Sequence, residues 1–311
     1  MCANTERRRP DQAHQVWPAP AWRLTRRSFL ALCVAGCSRL ARRPWPVGEE
    51  PSGQTWALIA DTHISRVRKR SVRGSCMADN LERVVADVLS AEPDHVLFGG
   101  DLAYSVGEQA DYAAFRELIT PLADRGMPLH FMPGNHDRRA RLVGALPVAT
   151  DVALPAKAVS VLSAGGAQWF FLDSVEDGSI IRGSLGPPQR EWLARKLDGA
   201  AGPAIICLHH NPERTMVGLK DAQELLDIVL PRRRVKVVLF GHLHTFRVWQ
   251  HEGLHFVNLP AAGFRSLEPG SSLGWVQATL TENGMRLHVR GITPHEPHDG
   301  EIHDLPWRND A

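Results

Sequence analysis

The hydrophobic positions of the first half of the chain alternate between two spacings. Short runs of consecutive Val, Ile, Leu and Phe, bounded by Gly or Pro, are typical of strands buried on both faces. Between these runs, apolar residues recur every three or four positions, as in amphipathic helices. The predicted strands are 55–60, 95–99 and 128–132, and the predicted helices are 78–90 and 110–122. This alternation is the βαβ pattern of a doubly wound α/β sheet.

The second half continues the pattern less regularly and then changes to strands alone. Its predicted helices are 187–197, which begins with two prolines suited to a first helical turn, and one near 219–230. An Asn-Gly turn within 282–284 predicts a hairpin between the last two predicted strands. The predicted strands of this half are 158–163, 168–172, 203–208, 235–240, 246–250, 254–258, 273–280 and 285–291.

These elements divide the chain into four regions. Residues 55–292 are predicted to form one catalytic domain, preceded by a Pro/Gly-rich linker over 38–54. Residues 293–311 are polar, contain three histidines, and are predicted to be a flexible tail. Residues 1–37 have the order of an export signal, with charged, apolar and small residues in succession.

The N-terminal region resembles a twin-arginine lipoprotein signal. Arg26 and Arg27 precede a short apolar stretch, and Val34-Ala35-Gly36-Cys37 resembles a lipoprotein box. Acylation of Cys37 after cleavage would anchor the protein to a membrane, on the periplasmic side or at the cell surface. The alternative interpretation, a chance Arg pair in a disordered tail, leaves a cytoplasmic protein.

Charge and composition exclude some classes of function. The chain is 43% hydrophobic and 23% charged, as in an ordinary globular protein, and no stretch approaches the ~20 apolar residues of a membrane span. The net charge of +2 is due to residues 1–36, which carry six Arg against two acidic residues and leave the remainder at −2. Nucleic-acid binding through bulk charge is therefore not expected. Only Cys76 and Cys207 lie in the catalytic domain, too few for a disulfide framework.

Five clusters of Asp, Asn and His follow five of the predicted strands directly. Ligands of open α/β sheets gather at the carboxyl ends of the strands, so these clusters are expected to converge on one metal site. The clusters are Asp61-Thr62-His63, Gly100-Asp101, Gly134-Asn135-His136-Asp137, His209-His210 and Gly241-His242-Leu243-His244.

Together the clusters resemble the calcineurin-like metallophosphoesterases, whose ordered motifs are D-x-H, G-D, G-N-H-D/E, H and G-H-x-H. Within that superfamily the chain is most similar to the cyclic-nucleotide-phosphodiesterase-like branch. The resemblance implies a four-layer α/β/β/α sandwich of two mixed sheets flanked by helices. It also implies two divalent or trivalent transition metal ions, such as Fe, Mn or Zn. Such an enzyme hydrolyses phosphodiesters or phosphomonoesters of small molecules with a metal-bridging hydroxide.

The resemblance also implies a role for each motif residue. One metal would be held by Asp61, His63 and His244, the other by Asn135, His209 and His242, and Asp101 would bridge them. If His242 and His244 lie on an extended strand end, their rings point to the same face. His136 would be the general acid that protonates the leaving alkoxide. Asp137 either orients His136 in catalysis or terminates the strand.

Several further residues have two interpretations. His210 either donates to the substrate or packs beneath the site. Arg66 and Arg138 either bind a substrate phosphate or are solvated surface charges. Tyr104 resembles the iron-ligating tyrosine of purple acid phosphatases, but His63 would compete for that coordination position, so we interpret Tyr104 as a wall residue. Four aromatic residues of the C-terminal half are expected in the sheet core rather than in a base-stacking platform, namely Phe246, Trp249, Phe264 and Trp275.

Two other classes of function remain to be weighed. An exported binding lipoprotein without catalysis would be expected to have lost a metal ligand, and none is missing here. A protein phosphatase would carry G-D-x-x-D-R-G, whereas this chain has Gly-Asp-Leu-Ala-Tyr-Ser-Val-Gly at 100–107.

Overall fold

The computed structural model describes residues 53–177, 179 and 181–309, so the predicted signal and almost all of the linker lie outside the described residues. The helices are α1 Met77–Ala91, α2 Gln109–Asp124, α3 Arg139–Ala145, α4 Pro187–Asp198 and α5 Ala222–Val229. The strands of the first half are β1 Thr55–Ile59, β2 Ser71–Val72, β3 Ser75–Cys76, β4 His95–Phe98, β5 Leu129–Phe131, β6 Ser160–Ala164 and β7 Ala167–Phe171. Those of the second half are β8 Ala204–Cys207, β9 Val235–Phe240, β10 Arg247–His251, β11 Leu254–Asn258, β12 Gly274–Thr281, β13 Gly284–Gly291 and β14 Ile302–Pro306.

The strands form two six-stranded mixed sheets and the small β2–β3 hairpin. The first sheet has the order β14-β13-β12-β1-β4-β5, in which β1, β4 and β5 are parallel. The second has the order β10-β11-β9-β8-β7-β6, in which the four central strands are parallel. The carboxyl ends of the predicted ligand strands therefore lie at one edge of each sheet.

The two sheets pack face to face around an apolar core. Trp56 of β1 stacks on Trp169 of β7, with ring centroids 3.8 Å apart, and both side chains are fully buried. Because side chains alternate between the faces of a strand, the other face of each sheet is left for helices. Helices α1 and α2 cover the first sheet, and α4 and α5 cover the second. The predicted α/β/β/α sandwich is confirmed.

Most predicted elements are found within about two residues of their expected ends, because their apolar spacing is regular. The small β2–β3 hairpin and α3 were not predicted, since both are too short to show a regular apolar spacing. Among the described residues, no helix is long and apolar enough to cross a membrane.

The prediction of a flexible C-terminal tail is wrong for its described part. Residues 302–306 form β14, which pairs antiparallel with β13 at the edge of the first sheet. Leu305 is the one buried residue of this strand, so its hydrophobic pattern is too weak to predict an element. Beyond it, the buried guanidinium of Arg308 donates to the carbonyls of Val235 and Val229. The tail is thereby bonded to the second sheet.

Candidate metal centre

The five predicted clusters meet at the carboxyl ends of five strands. Asp61, Asp101 and Asn135 follow β1, β4 and β5 of the first sheet, whereas His209 and the His-x-His pair follow β8 and β9 of the second. The site therefore lies between the carboxyl edges of the two sheets. Three groups of side chains place their ligand atoms within 4.8 Å of one another: Asp61, His63 and His244; His63, Asp101 and His136; and Asp101, His209 and His242.

Five of the predicted ligands have an unusual backbone. Asp61, His63, Asp101, His242 and His244 all have positive φ, between 48° and 73°. This left-handed region costs an L-residue roughly 1–2 kcal/mol, and such residues concentrate at functional sites. The prediction that the His-x-His pair lies on an extended strand end is therefore wrong. His242 lies in a bend, His244 follows that bend, and their rings belong to different groups.

The first group surrounds the ring of His63. Its Nε2 lies 3.2 Å from Nε2 of His244, 3.9 Å from Oδ1 of Asp61 and 3.6 Å from Oδ2 of Asp101. A single proton between the two imidazole nitrogens would satisfy that one contact only. A cation among these four donor atoms would satisfy all of them, so the residues fit a metal ion.

The third of these groups, Asp101, His209 and His242, is centred on His209. Its Nε2 lies 3.3 Å from Oδ2 of Asp101 and 3.1 Å from Oδ1 of Asn135. The same oxygen of Asp101 thus faces His63 in one group and His209 in the other. The mixture of imidazole, carboxylate and amide donors suits transition metals rather than Ca²⁺ or Mg²⁺.

Backbone carbonyls on the far side of the rings determine which nitrogen faces the site. The Nδ1 atoms of His209 and His244 donate to the carbonyls of Gly99 and Phe264, at 3.0 and 2.7 Å. Their Nε2 atoms are therefore left for the metal. His242 is reversed, because its Nε2 donates to the carbonyl of Val217 at 3.0 Å and leaves Nδ1 for the metal.

Burial and charge act in opposite directions on these histidines. Burial lowers the pKa of His63 to about 3 and that of His242 to about 4. Burial would also lower the pKa of His209, but Asp101 outweighs it and raises this pKa to about 9. The pKa of Asp101 stays well below its usual value because His209 and His63 outweigh its burial. The site is thus a set of buried donors around two carboxylates that remain charged.

Two motif glycines allow the loops to approach closely. A Cβ at Gly134 would lie 2.2 Å from Oδ1 of Asp101, and a Cβ at Gly241 would lie 2.6 Å from Oδ2 of Asp61. Any side chain at either position would displace a ligand carboxylate. The same carboxylates accept backbone amides across the site, from His136 to Asp101 and from His242 to Asp61.

His136 lies at the rim of the site and is half-buried. Its ring is perpendicular to that of His63, with centroids 4.9 Å apart. Its Nδ1 donates to the carbonyl of Ser105 at 2.6 Å, which assigns Nε2 to the side of the cleft. The ring is therefore held at the site by a backbone contact, with one nitrogen available to a substrate.

Asp137 lies beneath the site and does not contact the ring of His136. Its two oxygens accept the backbone amides of Leu102, Ala103 and Gly134 and the hydroxyl of Tyr112. Burial raises its pKa to about 6. Asp137 thus joins the loop of Asp101 to the loop of Asn135 and does not orient the ring of His136, so we expect it to position the loops rather than to act in catalysis.

The candidate substrate residues lie away from the reacting position. His210 is fully buried, bonded to the hydroxyl of Ser174, and tilted against the ring of His242 with centroids 4.8 Å apart, so it packs beneath the site. Arg66 is exposed and paired with Glu108 outside the cleft. Arg138 is half-buried and is not among the residues that line the cleft.

Tyr104 follows Asp101 by three residues and is half-buried. Its ring packs on the apolar cluster beneath the first sheet and lies 4.9 Å from the guanidinium carbon of Arg70. This position fits the wall residue predicted from the presence of His63.

Sequence reasoning missed the residues that border the open cleft over the site. The cleft has a volume of about 240 Å³, and Arg73, Phe264 and Ser266 line it together with the ligands. Phe264 was expected in the sheet core, but its ring lies 4.7 Å from the rings of both His63 and His244.

Comparison with known proteins agrees with this geometry. Residues 55–246 match the model of the calcineurin-like phosphoesterase family. A probable cyclic nucleotide phosphodiesterase from Synechococcus is 29% identical over 235 residues, covering 73% of this chain and 88% of the relative. A 3′,5′-cyclic adenosine monophosphate phosphodiesterase from Pseudomonas aeruginosa is 28% identical, covering 69% and 78%. A dimetal phosphatase from Danio rerio shares the fold, with a TM-score of 0.66 at 17% identity, covering 83% and 100%.

Proposed function

Because the chain belongs to the calcineurin-like phosphoesterase family, whose members are hydrolases of phosphoric esters, we propose that it is a phosphodiesterase that uses two metal ions. The proposed substrates are small phosphodiesters, with 3′,5′-cyclic nucleotides as the first class to test. The matched relatives named as cyclic nucleotide phosphodiesterases support this choice.

The observation that carries the proposal is the placement of Asp101 between two groups of metal donors. Asp61, His63 and His244 would hold one ion, and Asn135, His209 and His242 the other, with Asp101 shared. Bound metal ions at such a site supply a water of lowered pKa and neutralise charge on the phosphoryl oxygens.

The chain itself supplies the proton for the leaving group. The carbonyl of Ser105 holds the proton on Nδ1 of His136, so a second proton on Nε2 makes the ring a cationic acid at the cleft. Transfer of that proton to the ester oxygen lets the alcohol leave neutral. This role requires no contact between His136 and Asp137.

The two alternative functions lack a supporting observation. A binding lipoprotein without turnover would need no acid at the rim, yet His136 is held there with one nitrogen directed to the cleft. An iron-ligating tyrosine would have to point into the donor cluster, whereas the ring of Tyr104 packs on the apolar cluster beneath the first sheet, next to Arg70.

A hydrolysis panel tests the proposal. Purified protein would be freed of metal, reloaded separately with Mn²⁺, Fe²⁺, Zn²⁺ or Co²⁺, and assayed on cyclic nucleotides, glycerophosphodiesters, phospholipid headgroups and phosphomonoesters. We expect metal-dependent turnover of diesters, with cyclic nucleotides among them. Turnover of monoesters alone, or of nothing, would contradict the proposed function.

The cellular location is a separate proposal. Cys37 lies outside the described residues, and the order of its sequence signals supports export and acylation. Labelling with radioactive palmitate should depend on Cys37 and be lost in Cys37→Ser. Absence of label in the unaltered protein would exclude the lipid anchor.

A further inference from the structure

The cleft over the metal centre has one permanent cation at its border. Arg73 is the only Lys or Arg among the described residues that line it. The other basic residues of this segment lie outside the cleft: Arg66 pairs with Glu108, Arg68 and Lys69 both pair with Asp79, and Arg70 contacts the hydroxyl of Ser65 and the ring of Tyr104.

Arg73 has no such acidic partner among the described residues. Its Nη1 donates to the carbonyl of Arg265 at 2.8 Å, and its guanidinium carbon lies 5.6 Å from the ring centre of Phe264. A carbonyl and an aromatic face orient the guanidinium without cancelling its charge. Its remaining N–H groups have no partner among residues 53–177, 179 and 181–309 and could therefore bind an anion.

Phe264 connects this cation to the metal ligands. Its ring contacts His63 and His244 on one side, and its carbonyl accepts from Nδ1 of His244. The backbone amide of Gly263 is bonded to the carbonyl of Asp61, so the segment bearing Phe264 is attached to the first ligand loop. Arg73 therefore lies one aromatic ring away from the first group of ligands.

The backbone at Arg73 is costly for an arginine. Residues 73 and 74 form the two-residue turn of the β2–β3 hairpin, with φ of 49° and 79°. Positive φ at both central positions strongly favours Asn-Gly or Gly-Gly. An arginine at the first position therefore makes the turn less stable than an asparagine or glycine would. Residues with such strained backbones cluster at functional sites.

We propose that Arg73 is a substrate-binding residue, which donates to an anionic oxygen of the phosphate ester in the cleft. The inference rests on the proposed function and adds to it a residue for substrate affinity. The ion pair of Arg73 forms with the substrate and not within the protein. Loss of this pair should therefore weaken substrate binding more than it slows the chemical step.

The test compares Arg73→Asn with Arg66→Asn, a matched removal of charge from the same segment. Binding of inorganic phosphate to the metal-loaded protein would be measured by calorimetry, and KM and kcat with bis(4-nitrophenyl) phosphate. For Arg73→Asn we expect about tenfold weaker phosphate binding and about tenfold higher KM, with kcat nearly unchanged. Its melting temperature should be equal or higher, because Asn suits the left-handed turn.

Arg73→Lys should recover part of the affinity, whereas Arg66→Asn should bind phosphate like the unaltered protein. Unchanged phosphate binding in Arg73→Asn would overturn the inference. An equal loss in Arg66→Asn would also overturn it, since it would show a long-range effect of charge. Failure of the unaltered protein to hydrolyse any ester would count against the proposed function instead, because phosphate binding still reports on Arg73.

Discussion

Strands β4 and β5 have clusters of polar side chains at both ends, and the two ends behave differently. At the amino ends, Nδ1 of His95 donates to Nε2 of His130 at 3.0 Å, and Gln54 donates to the other nitrogen of His95. At the carboxyl ends, Asp101 and Asn135 meet the histidines of the second sheet. Histidines occur at both ends, but only one end is built for a metal.

The difference lies in the charges beside the rings. Burial lowers the pKa of His130 to about 4, and no carboxylate contacts that ring among the described residues. At the other end Asp101 outweighs burial and raises the pKa of His209 to about 9. The two half-buried imidazoles of His95 and His130 form a neutral hydrogen-bonded pair. Buried imidazoles around a charged carboxylate form a cation site.

The backbone conformation also differs between the amino and carboxyl ends of these strands. His95 and His130 lie within regular strands, whereas Asp101 and four other predicted ligands have positive φ. The five ligands with positive φ thus all lie at the carboxyl end, around the candidate metal centre. We infer that the amino-end pair contributes to stability and the carboxyl-end cluster to function.

The largest expected effect is that of His136→Ala on turnover. Loss of the general acid should lower kcat by about 10²–10⁴-fold for an ester with an alkoxide leaving group. Nitrophenolate leaves without a proton, so the loss for a nitrophenyl diester should be far smaller. Both rates would be measured at the same metal loading. Equal losses on the two substrates would remove the assignment of His136 as the acid.

Asp137→Asn tests the positioning of the two ligand loops. An amide would place N–H groups against the backbone amides that now donate to the carboxylate, so the loops of Asp101 and Asn135 should loosen. We expect metal affinity to fall about 10- to 100-fold, and excess metal to restore turnover. Metal titration with a competing chelator measures this. Tyr112→Phe, which removes one donor to Asp137, should have a smaller effect, and unchanged affinity in Asp137→Asn would contradict the role.

The smallest expected effect is the contribution of the His95–His130 pair to the pH dependence of folding stability. Since the folded pKa of His130 is below its unfolded value, the folded state binds fewer protons, and stability is lost as pH falls from about 6.5 towards 4. His130→Asn should reduce this loss of folding stability by on the order of 1 to 2 kcal/mol. The effect is small because the ring is only half-buried. Urea unfolding of both proteins at pH 7.5 and pH 5 measures the difference. An identical pH dependence would show that the pair does not titrate as described.

Regular apolar runs in the sequence predicted where the five clusters lie, and the resemblance of the motifs to the family predicted which of their residues are ligands. Asp61, Asp101 and His209 could be placed at strand ends from that spacing alone. The conformation of His242 and His244 could not, because a bend with positive φ leaves no mark on hydrophobic spacing. Arg73 and Phe264 were missed for another reason, since they reach the cleft from distant segments and belong to none of the five clusters.

The measurement that most directly tests the central claim is the metal content of Asp101→Asn. Because this one carboxylate lies between both donor groups, Asp101→Asn should lose both metal ions. His130→Asn should retain two equivalents of metal. Dialysed proteins of each kind would be analysed by inductively coupled plasma mass spectrometry, with circular dichroism to confirm folding. Two equivalents of metal in folded Asp101→Asn would contradict the shared role of Asp101.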